Sequence, residues 1–247
     1  MKKNQIYRLT LTSLLIAIAL VLSLFNYMFY FSGGAGLRIS FSSYISVIPS
    51  FLFGPLYGGI TMGITDILAF LIKPDGAFML PLTITAIVGG IMRGYLWRFV
   101  KGKKIKPLLC IIIFSLITAF GVINYFAANG AGDYSEFLKG FDKKLPFLTL
   151  LPIIIGCLSL VFALINYLLK KTKFYSDEYV NVIMVLLPVN IIITTINTIL
   201  LMIFIPSLGQ LAFSMFYIPR LIEEVANTSV QSYVVSYLLK LNSFNSL

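Results

Sequence analysis

The feature that most constrains this chain is a succession of apolar runs, each about 20 residues long and almost free of charge. A helix of roughly that length spans the hydrocarbon layer of a bilayer, which is about 30 Å thick. Alternating apolar and polar residues of the β-barrel kind are absent. The chain therefore reads as an all-α, polytopic membrane helix bundle. Composition agrees, with 59% hydrophobic and only 11% charged residues and a mean hydropathy of +0.95; a soluble globule carries about 25% charged residues. The N-terminal run imitates a signal peptide, but its apolar stretch is too long and no clear small-x-small cleavage site follows. It is expected to remain as the first helix.

Eight spans are expected, at about 9–31, 41–53, 56–72, 78–100, 107–128, 147–169, 179–205 and 215–239. The basic clusters Lys2, Lys3 and Arg8, then Arg98 to Lys106, then Lys170, Lys171 and Lys173, and finally Lys240, all fall on one side of this arrangement. By the positive-inside rule that side is cytoplasmic, and both termini lie there. The net charge of +10 thus reports orientation rather than nucleic-acid binding. The 41–53 stretch holds Pro49 and is too short for a straight span, so a short, irregular helix packed inside protein is expected. Lys73-Pro74-Asp75-Gly76 suits a β-turn. No repeat or composition shift divides residues 1–247, which read as a single membrane domain.

Several chemistries are excluded. The chain has no histidine, the commonest metal ligand and neutral-pH base. It has no G-x-x-x-x-G-K-[ST] loop and no pair of carboxylates deep in one helix. Cys110 and Cys157 lie in apolar runs as small hydrophobes. No metal, cofactor, nucleic acid or enzymatic activity is expected, and transport or binding leads.

The polar residues inside the apolar runs carry what functional signal there is. Asp66 shares a helix face with Gly59 and Gly63, and either accepts hydrogen bonds from a ligand or forms a structural ion pair, for instance with Arg93. Arg93 itself reaches the inner interface by snorkelling in this reading. Arg38, Lys73 and Arg220 fall near outer helix ends, where they either gather an anionic solute or anchor the interface. Arg220 also has Glu223 and Glu224 three and four residues on. Asn190, Thr194 and Asn197 form a polar stripe that either binds neighbouring helices or lines a pocket. Ser13 and Ala17 form a small-xxx-small pair, used for internal packing or for docking another membrane subunit.

The ordered set L-R-I-S-F, a proline-bearing short helix, L-F-G-P-L-Y-G-G, Asp66, P-D-G-A-F and G-G-I-M-R-G-Y-L resembles the substrate-binding S component of energy-coupling factor vitamin transporters, most of all the folate type. The final N-T-I-L-L and Y-I-P-R-L-I-E-E-V-A-N-T-S-V-Q-S-Y are similar to its last two helices. The resemblance covers about 5–100 and 180–240 and implies a six-helix core, leaving about 105–172 as an inserted helical pair. It implies a vitamin ligand, a transmembrane coupling subunit and two ATPase subunits as partners in a prokaryotic cell membrane, with Ser13 and Ala17 as the coupling contact. The implied ligand pocket lies under the loops at Gly33 to Ser40 and Lys73 to Phe78. For folate or a related pterin, Asp66 or Asn190 suits the ring, Arg38 or Arg220 the carboxylates, and Phe41, Phe78 and Tyr217 the aromatic walls; Asn197, and Lys73 and Gly76 in the second of these hinged loops, complete the ligand-binding set. A secondary transporter of a small organic anion and a non-transport membrane scaffold remain the alternatives.

Overall fold

The computed structural model describes residues 2–30, 36–74, 77–103, 107–128, 178–209 and 213–244, together with helical positions between 153 and 168. In chain order these form α1 (Lys2–Ser23), a hairpin of β1 (Tyr27–Tyr30) and β2 (Gly36–Ile39), α2 (Ser42–Ser46), α3 (Ile48–Leu52), α4 (Pro55–Ile72), α5 (Leu80–Val100), α6 (Pro107–Ala128), α7 (Tyr179–Phe204), α8 (Pro206–Gly209) and α9 (Phe213–Phe244). Among the described residues, four helices are long and apolar enough to cross a membrane: Asn4–Ser23 within α1, α4, α5 and α7.

The long helices are patterned for lipid rather than water. On α4, Leu56, Ile60, Ile64, Ile67 and Leu71 recur every three to four residues and are exposed, while Gly58, Gly59, Thr61, Gly63 and Thr65 are buried. Large side chains face outward and small or polar ones face the neighbouring helices. That is what packing requires where the solvent is itself apolar. The most extensive packing is of α4 on α5, followed by α7 on α9 and α5 on α7, while α1 lies against α2 and α4.

The α4–α5 crossing has the closest approach. A Cβ on Gly58 would come 2.6 Å from the Gly90 carbonyl oxygen, and one on Gly94 would come 2.5 Å from Pro55 Cα. The two backbones touch. At the start of α4, Gly54 has φ of +95°, a conformation open to glycine, and it turns the chain from α3 into the Pro55 that begins the helix.

Two expectations change. The first helix ends at Ser23 instead of continuing to Phe31, because the aromatic run Tyr27-Met28-Phe29-Tyr30 pairs as a strand with Gly36–Ile39, Tyr27 opposite Ile39 and Tyr30 opposite Gly36. Asn26 fixes the base of this hairpin: its Oδ1 accepts from the Phe41 N–H at 3.1 Å, and its carbonyl accepts from Lys73 Nζ at 3.1 Å. The last helix runs to Phe244, beyond the expected end near 239, and contains Pro219. The stretch 41–53 forms the two single turns α2 and α3, meeting at Val47, with Ile48, Pro49, Ser50 and Phe51 buried.

The apolar core sits away from the hairpin. Val47, Ile48, Phe51, Trp97, Val182, Val185, Leu186 and Val235 form one cluster, with Phe51 edge-on to Trp97 at 5.0 Å. A second cluster of Tyr179, Val180, Ile183 and Val225 receives Ile111 from α6 and Leu160. Within the 105–172 stretch, a Cβ on Gly156 would lie 2.9 Å from Thr118 Cα, so the helical residues there cross α6 closely.

Candidate functional site

Between the core and the hairpin, helices α4, α5, α7 and α9 diverge around a cavity of about 650 Å³, with Ser40, Ser43 and Val47 closing a further side. That volume is in the range of small-molecule sites. Five charged residues line it: Asp66, Glu223 and Glu224 against Arg93 and Arg220. Such groups are expensive within a membrane helix unless paired or facing a wet or ligand-filled space.

The cavity is layered. Nearest the hairpin, Asp66 Oδ2 accepts from Thr83 Oγ1 at 2.6 Å, and Asn197 Oδ1 accepts from Thr85 Oγ1 at 2.5 Å. On the α9 side Arg220 lies 5.0 Å from the centre of the Phe216 ring, and its Nε is buried without a hydrogen-bond partner. One level deeper, Thr194 Oγ1 donates to Glu224 Oε2 at 3.0 Å.

At the floor is Arg93, thirteen residues beyond the start of α5 and so about 20 Å along it. Its Nε and Nη2 donate to Asn190 Oδ1 at 3.3 and 2.8 Å. Asn190 Nδ2 in turn donates to Thr228 Oγ1 at 2.9 Å and Gln231 Oε1 at 3.2 Å. Gln231 Nε2 continues to the Ser43 carbonyl at 2.9 Å, and Tyr44 OH donates to Asn227 Oδ1 at 2.7 Å, so α2 is held against α9.

Of the residues singled out from sequence, Asp66, Asn190, Asn197 and Arg220 line this one cavity. Phe41, Phe78, Tyr217 and Lys73 do not. Phe41 packs on Tyr44, Phe78 on Phe70, and Tyr217 stacks on Phe213 while its hydroxyl bonds Thr195. Lys73 spends its ammonium on the Asn26 carbonyl. Gly76 and the Arg38 side chain lie outside the described residues. Ser13 and Ala17 are both exposed on α1, with Ser13 Oγ bonded back to the Leu9 carbonyl at 2.9 Å.

Arg93 is the main difference from the sequence reading. It does not snorkel and does not pair with Asp66; it is 6% exposed, inside the bundle and on Asn190. The signal was present in the periodicity of α5. Ile84, Val88, Tyr95 and Phe99 mark the exposed face, and Arg93 lies about 180° from Ile84 at 100° per residue. Glu224, read only as a partner for Arg220, is placed in the cavity wall by its bond to Thr194.

Comparison with known proteins gives a matching identity. The family model described as "ECF transporter, substrate-specific component" matches residues 7–169, a span that includes most of the 105–172 stretch and stops before α7. The folate transporter FolT of Clostridium novyi (strain NT) is 30% identical over 82 residues, which are 33% of this chain and 46% of that relative. The alignment thus spans less than half of the relative's length. No solved structure matches the chain. With a family model covering more than half of its length and a membrane helix bundle enclosing a polar cavity, the chain belongs to the substrate-specific components of ECF transporters.

Proposed function

We propose that the chain captures folate or a related pterin in the cavity between α4, α5, α7 and α9, on the outer side of the membrane, for uptake driven by ATP hydrolysis in partner subunits. The observation that carries the reading is the cavity itself: about 650 Å³, inside a membrane bundle, with cations, carboxylates and amides on one wall surface. Folate presents a flat ring with hydrogen-bond donors and acceptors and a tail with carboxylates, and a mixed-charge cavity suits both. Asp66 and Asn197 belong to the ring-reading part, with Asn190 holding Arg93 behind them, and Arg220, with its unpartnered Nε, to the tail. The name of the matching Clostridium novyi relative supports this choice of vitamin. In this reading the hairpin end faces outward, both termini are cytoplasmic, and 105–172 is a helical pair added to the core.

The deciding experiment is thermal unfolding of the purified protein with folate, pantothenate, thiamine and riboflavin. Ligand at a hundred times its dissociation constant adds about 2.7 kcal/mol. Folate is expected to raise the melting temperature and the other three to leave it unchanged; a shift with another vitamin alone sinks the folate assignment.

The exposed Ser13–Ala17 strip on α1 is proposed as the contact for the membrane coupling subunit, where small residues let helices approach. Ser13→Leu and Ala17→Leu should leave folate binding within about twofold of wild type yet abolish co-purification with the coupling subunit and uptake into cells. Normal uptake by both variants would remove this strip from the interface.

A further inference from the structure

We propose that Arg93 and Glu224 form a specificity pair at the deep end of the cavity that reads a ring edge carrying an oxo group beside an N–H and an amino group, Arg93 donating to the oxygen and Glu224 accepting from the N–H donors. The proposal rests on the folate reading above. It adds which edge of the ring is recognised and by which atoms.

Three observations place the pair. First, Arg93 Nη1 is buried with no hydrogen-bond partner, although Nε and Nη2 of the same group are held by Asn190. An enclosed charged donor without an acceptor is costly, and a ligand oxygen would satisfy it. Second, that nitrogen sits against Gly89, which also lines the cavity: a Cβ there would be 3.3 Å from Nη1. A side chain at position 89 would crowd the guanidinium. Third, Glu224 flanks the same turn of α7 from the other side, bonded to Thr194 one turn from Asn190 and interacting electrostatically with Arg93. A donor from α5 and an acceptor from α9 thus stand on either side of Asn190 and Thr194.

Asn190 is saturated by this network. Its Oδ1 takes two donors from Arg93 and its Nδ2 serves Thr228 and Gln231, so it acts as a positioning residue for Arg93. The ring edge is left to the two charged groups.

The test compares folate with aminopterin, which differs from it by an amino group in place of the 4-oxo oxygen, using calorimetry on the purified full-length protein. Wild type is expected to bind folate at least about tenfold more tightly, because the 4-amino group turns a donor toward Arg93 and the unprotonated ring nitrogen beside it turns an acceptor toward Glu224. In Arg93→Gln the preference should shrink at least about threefold, through loss of folate affinity. Glu224→Gln should weaken folate at least about tenfold and aminopterin less, since both carry the 2-amino donor but only folate carries the ring N–H beside it. Equal wild-type affinity for the two ligands overturns the pairing, as does Arg93→Gln with its preference intact, and either result leaves folate binding standing. Absence of folate binding by wild type overturns the underlying reading instead. The wild-type comparison needs no variant, so a misfolded Arg93→Gln does not blunt the test.

Discussion

Gly94→Ala should lower the melting temperature sharply, and Gly94→Val should yield little folded protein. A Cβ at this position would lie 2.5 Å from Pro55 Cα and 2.8 Å from the Gly54 carbonyl carbon, both backbone atoms that cannot turn aside. Accommodating it means separating α4 from α5 along their whole crossing, where Gly58 and Gly90 also touch. Overpacking of this kind typically costs about 1–3 kcal/mol, and the cost is greater where the obstacle is backbone. Gly63→Ala, on α4 across the same crossing, is the internal contrast, because its Cβ would meet Ile87 Cγ1 at 2.8 Å, a side chain that can change rotamer. Thermal unfolding followed by tryptophan fluorescence reports the crossing directly, since Trp97 is the chain's one tryptophan, buried a turn from Gly94. Gly94→Ala melting with wild type, or no higher than Gly63→Ala in its effect, would show that the helices are not locked backbone to backbone.

Asn190→Leu should be comparably damaging for an electrostatic reason. It removes the acceptor that holds Arg93 Nε and Nη2, in a group whose Nη1 has no partner among the described residues, and it strips a donor from Thr228 and Gln231. Leaving a buried charged donor without its acceptor costs about 3 kcal/mol, the upper end of the penalty for an unsatisfied buried polar group. Replacing both members by apolar residues costs far less, so Arg93→Met combined with Asn190→Leu should recover much of the lost stability while abolishing ligand binding. A double variant no more stable than Asn190→Leu alone argues that Asn190 stabilises the bundle by packing and not by holding the guanidinium.

The bundle was legible in the sequence because bilayer thickness dictates the length of apolar runs, and α4, α5 and α7 fall close to the expected bounds. The hairpin was not. Its aromatic strand is as apolar as the helix before it, and hydropathy does not separate the two; only the β preference of Tyr27 to Tyr30 and a partner strand do.

The site was half legible. The Asn190, Thr194 and Asn197 stripe and Asp66 stand out because polar groups in a membrane helix need partners, and all four line the cavity. The identity of those partners was not written in spacing: Asp66 takes Thr83 on the next helix, and Arg93 takes Asn190 ninety-seven residues away. Phe41, Phe78 and Tyr217 show the converse. Their type suits a flat ring, but each packs on an aromatic neighbour instead.

The cluster of Val47, Phe51, Trp97, Leu186 and Val235 beneath the cavity has a consequence for the cell's electrical economy. Val47 belongs both to the cavity wall and to this packed layer, so the well ends on close-fitting side chains. Water that fills the cavity from one face stops there, and protons or sodium ions meet hydrocarbon before they meet the other compartment. A receptor built as a blind well can stand in a membrane in many copies, idle or loaded, without short-circuiting it.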